Sequence, residues 1–182
     1  MKKTAVLLYP QFSEYEMTVA LSILMQGKKP VVTVGLNDQP VRGEAGLICI
    51  PDTTIAQFNQ AEIDSLLLTG CMDILALQNE ADLIEFIRRT GSKASLIASI
   101  SSSPFLLAKA GLLQGKKYTV GMTEENRQKT GVFEPENYSE EPLVQDGNLI
   151  TARGREFIQF GTLLGQALNL SFDGQWYKGR GL

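Results

Sequence analysis

Short apolar runs and amphipathic stretches alternate along the chain from its first residues. Thr4–Tyr9 (TAVLLY) is a run of the kind that a buried parallel strand presents. Beyond Pro10, Ser13 with Glu16 three residues on matches a capping box, and Met17, Ala20, Leu21, Leu24 and Met25 follow at the spacing of one helix face. Gly27 is placed as the C′ residue of that helix. Pro30–Gly35 reads as a second strand, and Leu47–Ile50, after VRGEAG, as a strand pair or small excursion. Ile63–Thr69 is a buried run ending at Gly70-Cys71; Ala81–Arg89 is helical and closed by Gly91; Ala94–Ile100 is the next strand. Ser101–Ser103 and Pro104 open a helix to about Gly111, with proline in the first turn, where its missing N–H costs little. Tyr118–Val120 and Leu149–Thr151 are expected as short strands, Thr123–Glu141 as a surface loop, Asp146-Gly147 as a hairpin turn and Glu156–Leu168 as a last helix.

Strands alternating with helices predict an α/β fold: a doubly wound, mostly parallel sheet with helices on both faces. Neither a repeat nor a linker divides it, so residues 1–170 are expected to form one domain, with 171–182 a polar, glycine-rich tail around Trp176, loosely attached. In such sheets the working crevice lies outside the carboxyl ends of the strands, which directs attention to Tyr9–Glu16, Gly70–Cys71 and Ile100–Pro104.

Composition narrows the chemistry. The 182 residues carry 17 Lys and Arg against 20 Asp and Glu, and the basic pairs are scattered, so a nucleic-acid partner is not expected. The chain has no histidine, which removes Ser-His and Cys-His couples, an imidazole base and a His-ligated metal site. Cys49 and Cys71 are too few for a structural zinc cage or a disulfide framework and read as free thiols, so no metal site is expected. The apolar run before Pro10 is too short for a secretory signal and no run approaches a membrane span, so a cytoplasmic setting without membrane contact is expected.

The segment IASISSSP carries the chief candidate. A buried strand turning abruptly into a helix is the geometry of a nucleophile elbow, with the N–H groups of the new helix beside the exposed side chain. The commoner use of such serines is to cap the helix. Glu16, at the start of the first helix, either completes its capping box or faces the crevice; the two are compatible. Arg153 could reach an acid group or a partner subunit, or close an intramolecular salt bridge.

The opening KTAVLLYPQFSEYE, LLLTGC, SISSSP, LLAKAGLLQGKKYT and DGNLITARG together resemble the ThiJ/PfpI superfamily, over nearly all of residues 3–170. The resemblance implies a flavodoxin-like, class I glutamine amidotransferase-like three-layer sandwich, a homodimer and no organic cofactor. It places Ser101 where the family usually has a nucleophilic cysteine and Glu16 where a buried carboxylate contacts that thiol. Gly70 and Cys71 match a Gly-Gly pair whose amide faces the nucleophile, and Ser102 supplies the amide just after the elbow. Histidine would stand at Ser102 or about Val120–Gly121, and Ser103 replaces an elbow glycine.

A serine hydroxyl, unlike a thiol, needs a base, and Glu16 is the one candidate. Two functions therefore stand. One is a divergent member that keeps the elbow pocket and binds a small molecule, peptide or protein partner. The other is a protease- or amidase-like hydrolase with Ser101 as nucleophile, Glu16 as base and the Gly70, Cys71 and Ser102 amides around the oxyanion. Cys71 itself reads as structural, contributing an N–H, with redox reactivity as the alternative. A strained backbone at Ser101 with Glu16 in reach favours the hydrolase, and a relaxed Ser101 turned into a helix cap the binder.

Overall fold

In a computed structural model describing residues 1–177, a seven-stranded sheet holds the core. Its strands are β1 (Lys3–Leu8), β2 (Val31–Gly35), β5 (Thr53–Thr54), β6 (Ile63–Leu68), β7 (Leu96–Ile100), β8 (Leu143–Asp146) and β9 (Leu149–Ala152). Two further strands, β3 (Val41–Arg42) and β4 (Ile48–Cys49), pair with each other in a separate hairpin, which is the excursion expected around Leu47–Ile50. The order β5-β2-β1-β6-β7-β9-β8 is parallel throughout except for β8, which returns antiparallel to β9 through the Gly147 turn. β1, β6 and β7 are buried along nearly their whole length, so their sequences read as continuous apolar runs.

The helices are α1 (Glu14–Gln26), α2 (Ala81–Gly91), α3 (Pro104–Lys109), α4 (Glu124–Thr130) and α5 (Phe157–Ala167). The chain winds outward from β1 through β2 to β5 and, on the other side, from β6 through β7 to β9. Right-handed crossovers in opposite directions put their helices on opposite faces. α1 accordingly packs with α5, and α2 with α3. The expected flavodoxin-like α/β architecture is the one observed, and the direction switch falls between β1 and β6.

Several local expectations fail for identifiable reasons. The capping box does not form: Ser13 gives its helix no side-chain cap, and its hydroxyl instead donates to Glu44 Oε1 at 2.7 Å. Met25 is 68% exposed, whereas Val19 and Ile23 are buried, because α1 is covered by both the sheet and α5. The left-handed residue after α1 is Lys28 (φ 54°), not Gly27 (φ −75°). Tyr118–Val120 does not join the sheet, since β9 is already flanked by β7 and β8; Thr119 N–H donates to the Thr151 hydroxyl instead. The expected 123–141 loop contains α4, started by Thr123 accepting from Asn126 N–H and ended by Gly131 at φ 64°, and a 3-10 turn at Pro135–Asn137. α4 buries none of its residues, so no apolar stripe announced it. The tail is strapped rather than loose as far as Tyr177, whose hydroxyl meets Gln26 Nε2 and Ser22 Oγ, each at 2.7 Å; the rest of the expected tail, 178–182, lies outside the described residues.

Candidate functional site

The carboxyl ends of β1, β6 and β7 deliver three segments to one place. From β7 the chain enters Ser101 at φ 64°, left-handed backbone that a residue with a Cβ adopts at a cost of about 1 kcal/mol. Two backbone bonds hold it there: Ser101 N–H donates to Ala152 O (2.7 Å), and Gly121 N–H donates to Ser101 O (2.6 Å). Ser101 and Ser102 are half-buried and Ser103 is fully buried. None of the three caps α3 through its side chain. This is an elbow, not a cap.

Ser103 is tied downward. Its Oγ lies 2.7 Å from Ser99 Oγ, 2.8 Å from Ile100 O and 3.1 Å from Leu68 O, and it accepts from Ile100 N–H. Tyr9, also fully buried, donates to Thr69 O and interacts with the Ser103 hydroxyl. Burial, with the nearby Cys71 and Glu16 adding to it, holds the Tyr9 phenol well above its ordinary pKa, so it stays a neutral donor. The ends of β1, β6 and β7 are thus joined beneath the elbow by hydroxyls.

Glu16 is 2% exposed and turns away from its own helix terminus. Its Oε2 accepts from Gly70 N–H at 2.7 Å, and Tyr15 Oη–H reaches Oε1 at 3.3 Å. Burial raises the Glu16 pKa, while hydrogen bonding from Ser101, Gly70 and Tyr15 pulls it part of the way back. Two glycines make this approach possible. A Cβ on Gly70 would sit 2.8 Å from Ser101 Oγ, and one on Gly154 would sit 2.6 Å from Glu16 Oε1 and 2.9 Å from Tyr15 Oη.

The sequence-derived set is brought together, but its amides divide their work. Gly70 N–H is taken by Glu16, and Cys71 N–H leans on Ser102 Oγ at 3.3 Å. Ser102 N–H has no protein acceptor among the described residues and is the donor left for a ligand oxygen. The half-buried Cys71 thiol is pushed up to about 12 by burial, with Asp73, Glu16 and Glu44 adding to it, which disfavours the thiolate needed for redox chemistry. Arg153 closes an intramolecular pair with Glu140 (2.9 Å). Sequence reasoning missed Tyr15, Gly154 and the Tyr9–Ser99–Ser103 group. The small and hydroxyl residues were visible, but only the fold shows which backbone they approach. No cluster of His, Cys, Asp and Glu among the described residues is arranged to hold a metal ion, and no helix among them is long and apolar enough to cross a membrane.

A doubly wound sheet with a strained strand-to-helix elbow beside a buried carboxyl defines the class. The chain belongs to the DJ-1/PfpI family, whose model matches residues 2–166. It is 32% identical to Protein DJ-1alpha of Drosophila melanogaster over 157 residues, covering 84% of this chain and 70% of that protein. It is 28% identical to the isonitrile hydratase of Pseudomonas putida, covering 89% and 70%. Among solved structures, a DJ-1 superfamily protein from Salmonella typhimurium superimposes with a TM-score of 0.79 at 30% identity, covering 97% of this chain and 95% of that one.

Proposed function

We propose that the crevice binds small carbonyl compounds, with Ser101 meeting the carbonyl carbon. The observation that carries this reading is the left-handed Ser101 between the Glu16 carboxyl and the free Ser102 N–H. Strain at a non-glycine residue persists where surrounding contacts impose it, and here they aim a hydroxyl at the place where a carbonyl oxygen can reach a backbone donor. Addition forms the Oγ–C bond, moves the carbonyl π pair onto the oxygen facing Ser102 N–H and transfers the hydroxyl proton to ionised Glu16. Glu16 then passes that proton to the new alkoxide oxygen, which gives a neutral hemiacetal or hemiketal, and the same steps in reverse release the carbonyl compound. The raised Glu16 pKa makes its carboxylate a better acceptor than an ordinary one, but only above that pKa is it ionised to accept. A thermal-shift screen with small aldehydes should find a stabiliser whose effect disappears in Ser101→Ala; unchanged stabilisation in that variant overturns the role of Ser101.

The buried Glu16 beside the hydroxyl also supports the hydrolase reading. With a leaving group on the carbonyl, Glu16 returns its proton to that group, and water then releases the acyl chain from Ser101. A serine-directed fluorophosphonate separates the two: a mass shift lost in Ser101→Ala supports hydrolysis, and no labelling of the native protein rejects it. The reading includes a cytoplasmic homodimer, supported by family membership and by the exposed Leu47, Ile48 and Ile50 around the β3–β4 hairpin. Sedimentation should give twice the chain mass, and Ile48→Glu should lower it if the hairpin is the contact.

A further inference from the structure

We propose that the ligand of this crevice is an acid, a small carbonyl compound whose carboxylate is held by Arg127 and Arg153 on either side of Tyr138. The inference deepens the carbonyl-binding reading and rests on it for the ligand's reactive end. A cleft of about 440 Å³, lined by Gly121, Met122, Arg127, Tyr138, Glu140 and Arg153 among others, adjoins the elbow. Gly121 forms the seam, since its N–H binds Ser101 O. On the other side, Arg153 directly precedes Gly154, where an added Cβ would sit 2.6 Å from Glu16 Oε1.

The guanidinium of Arg127 lies with Cζ 3.6 Å from the centre of the Tyr138 ring, and its Nη1 donates to Met122 O at 2.8 Å. It has no carboxylate partner among the described residues; neighbouring Glu124 accepts from Gln128 instead. Arg153 Nη2 donates to the Tyr138 hydroxyl at 2.8 Å and to Glu140 Oε2 at 2.9 Å. One tyrosine therefore fixes two guanidiniums, one over its ring and one at its hydroxyl, before any ligand arrives. The Glu140 side chain is 85% exposed, and such a surface pair is weak enough for an incoming carboxylate to displace. Glu124 and Glu140 also line this cleft, but neither pairs with Arg127, and a ligand carboxylate presents two oxygens to planar donor forks.

The test is calorimetric titration with succinic semialdehyde, butanal, succinate and inorganic phosphate. The semialdehyde should bind at least tenfold more tightly than butanal. Arg127→Gln should abolish that preference while leaving butanal binding unchanged, and Arg127→Lys should restore part of it, with circular dichroism verifying the fold of each variant. Ser101→Ala should weaken both aldehydes alike and leave succinate unaffected. Equal affinity for semialdehyde and butanal, a preference that survives Arg127→Gln, tighter binding of phosphate than of succinate, or no binding of either acid overturns the proposal. Arg127-dependent binding of succinate with no binding of either aldehyde leaves the acid site standing and removes the carbonyl reading alone.

Discussion

At Ser101 the cost of the elbow is concentrated in one pair of dihedral angles. Glycine would take φ 64° without a Cβ penalty, while alanine keeps the penalty and loses the hydroxyl. Ser101→Gly is therefore expected to unfold at higher temperature than Ser101→Ala, by the equivalent of about 1 kcal/mol. Equal melting temperatures would show that Ser101 carries no strain. Glu16 gives a second prediction. Its pKa is raised in the native protein, so the native state holds the proton more tightly than the unfolded chain. Stability is thus lost as pH rises from the ordinary carboxyl range through the raised pKa, and the penalty is fully present above it. Glu16→Gln cannot ionise, yet its side-chain oxygen can still accept from Gly70 N–H. Its melting temperature relative to the native protein should therefore climb as pH rises from the ordinary carboxyl range through the raised pKa. A pH-independent difference would deny the raised pKa.

At the scale of elements, the strands that carry the site were legible because burial on both faces leaves an unbroken apolar run. The elbow was legible for a related reason, as only small residues and a proline follow the Ile97–Ile100 run. α4 was not, because a helix that buries nothing has no periodicity to read, and its real signals were Thr123 and Gly131. The sequence leaves Glu16 between a capping box and the crevice, because spacing alone cannot show that its carboxyl turns to Gly70 N–H. The division of labour among the Gly70, Cys71 and Ser102 amides lies deeper still, since it depends on hydrogen bonds between segments distant in the chain. At the opposite end of the sheet, Lys29, whose side chain is only 4% exposed, donates to both carboxylate oxygens of Asp64 and ties the α1–β2 connection to β6. Lys29→Ala strands a partly buried carboxylate. Chemical denaturation should show a loss of about 2 kcal/mol, below the range for fully buried pairs because Asp64 is 31% exposed.

Across the whole molecule, the tail links back to the first helix of the fold. Tyr177 bonds Ser22 and Gln26, and Asp173 N–H donates to Gln26 Oε1, so residues far apart in sequence close over the α1–α5 layer. Tyr177→Phe should cost about 1 kcal/mol, read as a shifted denaturation midpoint with unchanged slope. An unshifted midpoint would mean that the strap does not contribute to global stability. That side of the fold is separate from the crevice, so ligand binding measured in the same variant should not change.

The order of the sheet has one more consequence. Its outermost strands are the two-residue β5, entered through Pro51 and Asp52, and the antiparallel β8, entered through Pro142. Proline contributes no donor to a ladder, and a two-residue edge gives an incoming strand little to extend. The apolar runs most prone to form cross-β fibrils, in β1, β6 and β7, lie in the interior, with both backbone edges occupied. Fibrillation of this chain therefore requires prior opening of the sheet, and its rate should follow the concentration of opened chain rather than that of native protein.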